Sequence, residues 1–160
     1  MTTIDQFFAG SRYAVVGTDP RHPYGEAIVQ SLSGGGRSAY VVYPDAAPRA
    51  GSTRVYASLR EVPESLDGAI FNIENDPQRM LSEVQLAIEL GVRRIWIENR
   101  CEAREAVAYA LTHGAEVVDN VCPLMVLDPH HIHWIHRKAL DVFHKTPVVQ
   151  LAAPAPGSAP

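Results

Sequence analysis

The sequence predicts an α/β fold: a three-layer, Rossmann-like domain with a doubly wound, parallel, five-stranded sheet and helices on both faces. Short apolar runs alternate along the chain with longer segments of helical character, which is the order of elements in parallel sheets. The runs are almost continuous in apolar residues, as in 13–16, which is typical of strands buried on both faces. Right-handed crossovers between such strands distribute the helices over both faces of the sheet.

The predicted strands cover residues 12–17, 38–43, 67–73, 93–97 and 115–118. Helices are predicted over residues 25–33, 77–90, 103–113 and 129–144, after a short leading helix over residues 4–9. Gly34, Gly91 and Gly114 stand where three of these helices should end, and Pro77 stands in a first turn, which tolerates proline. Residues 55–62 are interpreted as a short element that connects the second and third strands.

A chain of 160 residues is expected to form one domain, and this length can bury a sizeable core without disulfides or metals. We assign residues 1–146 to the domain and predict that residues 147–160, rich in alanine and proline, form a disordered tail. The formal net charge of −4 argues against a broad nucleic-acid-binding surface. Neither a signal peptide nor an apolar stretch of membrane-spanning length is evident, so a cytoplasmic protein without membrane partners is expected.

Ligands of such sheets bind beyond the carboxyl ends of the strands, which directs attention to residues 17–25, 43–49, 72–76, 98–100 and 120–125. The first of these segments leads from the first strand into the first helix. Unpaired N–H groups and the helix dipole favour an anion there, typically a phosphate. Gly17 would let the backbone approach the ligand, and Arg21 adds a cation with several donors. The segment is therefore predicted to bind a phosphorylated cofactor, and a surface loop stiffened by prolines is the alternative.

The same segment lacks the GxGxxG pattern of dinucleotide-binding loops. That fingerprint also requires an acidic residue at the end of the second strand. Asp45 is a possible substitute, although Pro44 precedes it. NAD(P) binding is therefore disfavoured but stays open.

A series of short motifs extends over residues 12–125 with consistent order and spacing. They are Val15-Val16-Gly17, Arg21-His22-Pro23-Tyr24-Gly25, Val41-Val42-Tyr43-Pro44, Val55-Tyr56-Ala57-Ser58-Leu59, Val62-Pro63, Asp67, Gly91, Ile95-Trp96-Ile97 and Cys122-Pro123. In this series the chain resembles the small bacterial CoA-binding domain proteins, which share their fold with the CoA-binding domain of the succinyl-CoA synthetase α subunit. Members of that family usually carry Asn where Tyr43 stands and a Gln-rich, Gly-containing turn at 98–100.

The resemblance implies a site for CoA or an acyl-CoA, with four parts along the carboxyl edge of the sheet. The loop after the first strand would line the CoA diphosphate with a cation beside it, and the loop after the second strand would hold the nucleotide end. The end of the fourth strand would touch CoA, and a Cys-Pro step would border the site. The residues implied are Gly17, Thr18, Asp19, Pro20, Arg21, Tyr24, Gly25, Tyr43, Pro44, Arg49, Ile97, Glu98, Cys122 and Pro123.

Four histidines crowd the predicted closing helix at His130, His131, His133 and His136. Imidazoles at helical spacing could bind zinc or copper. No HExxH-type motif accompanies them, so a solvent-exposed amphipathic helix is the preferred interpretation and no metal site is predicted. Trp134, among these histidines, is a candidate for a homodimer interface.

The chain has two cysteines, Cys101 and Cys122, and their spacing indicates neither a metal site nor a disulfide framework. A catalytic thiol needs a lowered pKa, and a small buried cysteine is the preferred interpretation of Cys122. No catalytic residue is predicted.

The leading hypothesis is a non-catalytic module that binds CoA or an acyl-CoA. The synthetase relatives need a phosphorylated histidine on a separate domain, so the resemblance does not imply ligase activity. An enzyme that uses NAD(P) or another nucleotide is the first alternative. An interaction protein with a degenerate cofactor site is the second.

Overall fold

The protein is described by a computed structural model over residues 4–19, 22–44, 54–98 and 101–127. Its centre is a six-stranded sheet in which every pair of neighbours is parallel. The strands follow the spatial order β3-β2-β1-β4-β5-β6. They are β1 (Arg12–Val16), β2 (Ser38–Val42), β3 (Arg54–Tyr56), β4 (Gly68–Phe71), β5 (Arg94–Ile97) and β6 (Glu116–Val118).

Four α-helices connect or follow these strands within the described residues: α1 (Pro23–Gly34), α2 (Pro77–Glu89), α3 (Arg104–Thr112) and α4 (Leu124–Leu127). The leading helix over Ile4–Ala9 is a 3₁₀-helix, and a second 3₁₀-helix spans Leu59–Glu61. None of the helices in the described ranges is long and apolar enough to cross a membrane.

The predicted parallel α/β architecture is confirmed, but the predicted count of five strands is wrong. The extra strand is β3, in the segment interpreted as a connecting element, and it pairs with β2 through Val41 opposite Val55. The Tyr43 N–H extends this pairing by donating to the Tyr56 carbonyl at 2.9 Å. The sequence of β3, Arg54-Val55-Tyr56, is not a continuous apolar run, so the strand is defined by its pairing with β2. The predicted helix over residues 129–144 and the tail over 147–160 lie outside the described residues.

Alternation along each strand divides the core into two clusters on opposite faces of the sheet. Ala14 and Val16 of β1 belong to a cluster that includes buried residues of α2 and α3. Tyr13 and Val15 belong to a second cluster that includes buried residues of α1 and α4 and the leading 3₁₀-helix. Helices therefore cover both faces, which gives the three layers that the sequence predicts.

One buried side chain of the second cluster also fixes the segment that leads to the site. Trp96 of β5 is fully buried and packs edge-on against Phe7, with ring centroids 5.0 Å apart. Its indole N–H donates to the Val121 carbonyl at 2.7 Å. This hydrogen bond ties the backbone after β6 to the interior of the sheet, immediately before Cys122.

Candidate cofactor site

The crevice at the carboxyl edge lies between β1 and β4. After β1 the chain passes through α1 to β2 on one side of β1, whereas β4 lies on its other side. This divergence of the connections makes the switch point at which ligands of doubly wound sheets bind.

Gly17 lies at the bottom of this crevice. Its φ is +88°, a left-handed conformation that side chains disfavour. A Cβ at Gly17 would lie 2.5 Å from Ile73 Cγ1 and 2.7 Å from the Asn72 carbonyl oxygen. The loop after β1 therefore lies directly against the loop after β4, and only glycine fits between them.

Thr18, the next residue, is buried with 5% of its surface exposed. Its hydroxyl has no hydrogen-bond partner in the described part of the chain. The methyl group of Thr18 packs against Gly25 of α1, where a Cβ would come within 2.3 Å of it. Burying a hydroxyl without a partner costs about 1–3 kcal/mol, so this loop keeps an unused donor at a cost in stability.

The start of α1 is capped from within the same loop. The His22 ring accepts a hydrogen bond from the Tyr24 N–H at 3.3 Å through Nδ1, and the His22 N–H donates to the Asp19 carbonyl at 2.9 Å. Pro23 occupies the first turn, where its missing N–H costs nothing. The positive end of the dipole of a twelve-residue helix is thereby directed at the crevice.

Tyr24 connects the start of α1 with the ends of β5 and β6. Its hydroxyl hydrogen-bonds to the Glu98 carboxyl group and lies 3.3 Å from the Cys122 Sγ. Glu98 directly follows β5 and is buried, with 2% of its surface exposed. We call Tyr24, Glu98 and Cys122 the edge cluster.

Burial and the nearby Glu98 carboxylate favour the protonated forms of Tyr24 and Cys122. Burial raises the pKa of the Tyr24 phenol far above its usual value, and the Glu98 carboxylate raises it further. Burial likewise raises the pKa of the Cys122 thiol, against the lowering effect of its hydrogen bond with Tyr24. An activated nucleophilic thiol requires the opposite shift, a lowered pKa.

Cys101, between β5 and α3, has similar surroundings on the other side of the crevice. Its thiol lies 4.0 Å from the Asn72 side-chain oxygen. Burial, with added repulsion from the carboxylates of Glu98, Glu74 and Asp119, raises the pKa of the Cys101 thiol to about 11. Within the described ranges, no group of three or more metal-ligating side chains is present. The four histidines at 130–136 and Trp134 lie outside those ranges.

The structure brings the described candidate residues to one edge of the sheet. Gly17, Thr18, Asp19, Tyr24 and Gly25 surround the β1–α1 connection. The others follow neighbouring strands: Tyr43 and Pro44 follow β2, Ile97 and Glu98 end or follow β5, and Cys122 and Pro123 follow β6. Pro20, Arg21 and Arg49 lie outside the described residues.

Asn72 and Ile73 were not among the residues implied for the site, although they enclose Gly17. The sequence did indicate their segment, because it follows a strand. It could not indicate the contact with Gly17, since that contact depends on β4 lying next to β1.

A family model described as a CoA binding domain matches residues 11–128. No curated protein matches the chain. Among solved structures, a protein from Pyrococcus horikoshii OT3 is similar with a TM-score of 0.67 and 21% identity, over 81% of this chain and 94% of that chain.

Two further solved structures are similar. One from Thermus thermophilus has a TM-score of 0.66 and 21% identity, over 77% of this chain and 95% of that chain. A dinucleotide-forming acetyl-coenzyme A synthetase of Ca. Korarchaeum cryptofilum has a TM-score of 0.57 and 23% identity, over 73% of this chain but 28% of that chain. At these identities the likeness supports the fold.

Proposed function

The chain belongs to the CoA binding domain family, and from this premise we propose that it binds CoA at the carboxyl edge of its sheet without catalysing a reaction. One observation carries the proposal: the match over residues 11–128 includes all six strands and every described residue of the crevice. We further propose that residues 1–146 form the binding domain, in line with that range.

The β1–α1 loop has the properties required to hold the CoA diphosphate. Gly17 lets the backbone come close to a ligand, and the start of α1 supplies N–H groups and a favourable dipole. The buried Thr18 hydroxyl is a donor without a partner in the described residues, and a phosphate oxygen is an acceptor suited to it. Arg21 in the same loop would add a cation, although its position lies outside the described residues.

The nucleotide end of the ligand would then lie towards β2 and β3. Tyr43 is half-buried after β2, and Pro44 and Arg49 follow it in the sequence. The opposite direction leads over β4 to the buried carboxyl group of Glu98, next to which phosphates would be repelled. The distribution of charge therefore favours phosphates at α1 and the uncharged pantetheine arm towards β5.

The raised pKa values of Tyr24, Cys101 and Cys122 support binding without catalysis. At neutral pH these groups keep their protons, so they offer neither an activated thiolate nor a phenolate to a bound thioester. No specific contact in the described residues favours NAD(P), whose expected partner Asp45 lies outside them.

A ligand screen by thermal unfolding tests the proposal. We expect CoA at millimolar concentration to raise the Tm, because a ligand that binds only the native state stabilises it by mass action. NAD and NADP should give smaller shifts or none. The proposal fails if CoA leaves the Tm unchanged, and a larger shift with NAD would favour the nucleotide-using alternative.

An arginine variant and a matched control test whether Arg21 contacts the ligand. Arg21→Ala should weaken CoA binding by about tenfold, since it removes a charge-assisted contact to phosphate. Arg60→Ala is the matched control, because Arg60 is exposed and pairs at 2.9 Å with Glu89, which ends α2. An exposed pair of this kind contributes little to stability, so the control should bind CoA as the parent protein does. Equal affinities in all three proteins would remove Arg21 from the site.

A further inference from the structure

The β1–α1 loop is held at its two ends by different kinds of contact. At its beginning, the Gly17 N–H donates to the Val42 carbonyl at 3.0 Å, which continues the pairing of β1 with β2. At its end, the first turn of α1 is joined to the sheet through Tyr24, whose hydroxyl donates a hydrogen bond to the Glu98 carboxyl group. The loop therefore lies between one contact made by the backbone and one made by a side chain.

Tyr24 reaches a part of the sheet that is itself fixed by backbone hydrogen bonds. The Glu98 N–H donates to the Phe71 carbonyl at 3.0 Å, so the chain after β5 stays paired with β4. On the β6 side, the Tyr24 hydroxyl lies 3.3 Å from the Cys122 Sγ. The Cys122 carbonyl accepts from the Met125 N–H of α4 at 3.1 Å. Because its partners are fixed, Tyr24 can hold the start of the helix that carries it.

The rest of α1 is held in a different way. Ile28 and Leu32 are fully buried in the second core cluster, among apolar neighbours. Apolar burial has no preferred direction, whereas a hydrogen bond weakens steeply when its length or angle changes. The hydrogen bond from Tyr24 to Glu98 therefore adds what the apolar contacts lack, which is a fixed direction for the first turn of α1.

Binding of a diphosphate depends on that direction. The N–H groups at the start of a helix point outward along its axis, and an anion is held well only where those donors converge on it. The buried Thr18 hydroxyl would donate to the same phosphates, and the Thr18 methyl group packs against Gly25 in the first turn. A displaced first turn would therefore move both sets of donors away from the ligand.

We propose that Tyr24 is a positioning residue for CoA: by donating to Glu98 it holds the first turn of α1, and with it the β1–α1 loop, in the arrangement that binds the diphosphate. The inference rests on the proposed function and deepens it. The Tyr24 hydroxyl is engaged within the edge cluster, so its contribution to binding passes through the helix. A contact made within the protein preorganises the site, and preorganisation strengthens binding because less ordering is required on association.

Tyr24→Phe and Tyr13→Phe form a matched pair of variants that test the inference. Each removes one hydroxyl that hydrogen-bonds within the protein, and the Tyr13 hydroxyl, near the amino edge, donates to the Phe7 carbonyl at 2.9 Å. Both variants should have a lower Tm, since each loses a hydrogen bond. In isothermal titration of the full chain with CoA, the dissociation constant should rise about tenfold for Tyr24→Phe and stay unchanged for Tyr13→Phe.

A second ligand locates the effect along CoA. Dephospho-CoA keeps the diphosphate and lacks the 3′-phosphate. Tyr24→Phe should therefore weaken the binding of dephospho-CoA by the same factor as that of CoA. A loss confined to CoA would place the effect at the nucleotide end and overturn the inference.

Combining Tyr24→Phe with Thr18→Val distinguishes positioning from an independent contribution. If Tyr24 acts through the loop, the Thr18 hydroxyl is already displaced in Tyr24→Phe. Adding Thr18→Val to that variant should then weaken CoA binding less than it does in the parent protein, because the two residues are coupled. The two losses multiply if the residues act independently, and that result would overturn the inference.

The outcomes also separate the inference from the proposed function. If the parent protein binds CoA and Tyr24→Phe binds it equally well, the inference is overturned and the proposed function stands. An equal loss of affinity in Tyr24→Phe and Tyr13→Phe also overturns the inference, because it would reflect stability alone. If the parent protein does not bind CoA at millimolar concentration, the proposed function itself fails.

Discussion

Two aspartates at opposite edges of the sheet respond to their surroundings in opposite ways. Asp67 precedes β4 at the amino edge and accepts hydrogen bonds from the N–H groups of Ser11 at 2.8 Å and Arg12 at 2.9 Å. Burial raises the pKa of Asp67, but these hydrogen bonds, with the Arg12 charge and the Ser11 hydroxyl, together outweigh burial and bring the pKa below its usual value. Asp119 follows β6 at the carboxyl edge, where burial outweighs one hydrogen bond from the Asn120 N–H and raises its pKa.

The difference lies in whether backbone donors compensate a carboxylate for its burial. At the amino edge the backbone donors satisfy a carboxylate, and its charge contributes to folding. At the carboxyl edge burial disfavours the charge of Asp119 and raises the pKa of both cysteine thiols, while the buried Thr18 hydroxyl has no partner among the described residues. Polar groups that are costly in the unliganded protein are typical of ligand sites.

Replacing Asp67 by Asn should have the largest effect on stability. We expect the free energy of unfolding at pH 7 to fall by about 2 kcal/mol, since hydrogen bonds to a charged acceptor are lost. Because the folded-state pKa is lowered, this contribution is present above the unfolded pKa and is lost as pH falls through the folded one. Urea unfolding at pH 7 and at about pH 2.5 checks both points. An unchanged affinity for CoA would show that Asp67 affects stability and not binding. A large loss of affinity would contradict the contrast between Asp67 and Asp119.

Replacing Thr18 by Val should separate stability from binding. Valine keeps the shape of the side chain and removes the hydroxyl, for which the described part of the chain offers no partner. We expect the free energy of unfolding to rise by about 1 kcal/mol and the affinity for CoA to fall about fivefold. Thermal unfolding and CoA titration of one protein preparation measure both changes. A variant that loses stability and binds CoA normally would show that Thr18 has a structural role.

Replacing Asp119 by Asn should have the smallest effect, with the opposite sign to that of Asp67→Asn. The raised pKa means that the folded state disfavours the charge, so stability is lost as pH rises through the folded pKa. Removing the charge should therefore increase the free energy of unfolding at pH 7 by roughly 0.5 kcal/mol. The gain should vanish in acid, where the parent carboxyl group is protonated in both states. A loss of stability at pH 7 would mean that the two edges do not differ as described.

Local patterns in the sequence predict most of the fold. Apolar runs identify β1, β2, β4, β5 and β6, and glycines mark the ends of their helices. The strand β3 is missed because Arg54-Val55-Tyr56 is not a continuous apolar run, so only its pairing with β2 identifies it as a strand. The candidate site is predicted as a set of segments, since carboxyl ends of parallel strands meet at one edge. The contact between Tyr24 and Glu98 is not predicted, because 74 positions separate them in the chain.

The sequence by itself determined the class of fold, the loop between β1 and α1 that begins at Gly17, and the family to which the chain belongs. These features depend on local sequence patterns, in which residues close together in the chain favour a strand, a turn or a helix. Only the tertiary structure decided the strand order, the contact of Gly17 with the β4 loop and the edge cluster around Tyr24. Burial and pKa depend on what packs around a group, and the partners of Asp67 and Asp119 were set when the sheet assembled. Asp67 and Asp119 are therefore the same residue type, but their surroundings shift their pKa values in opposite directions.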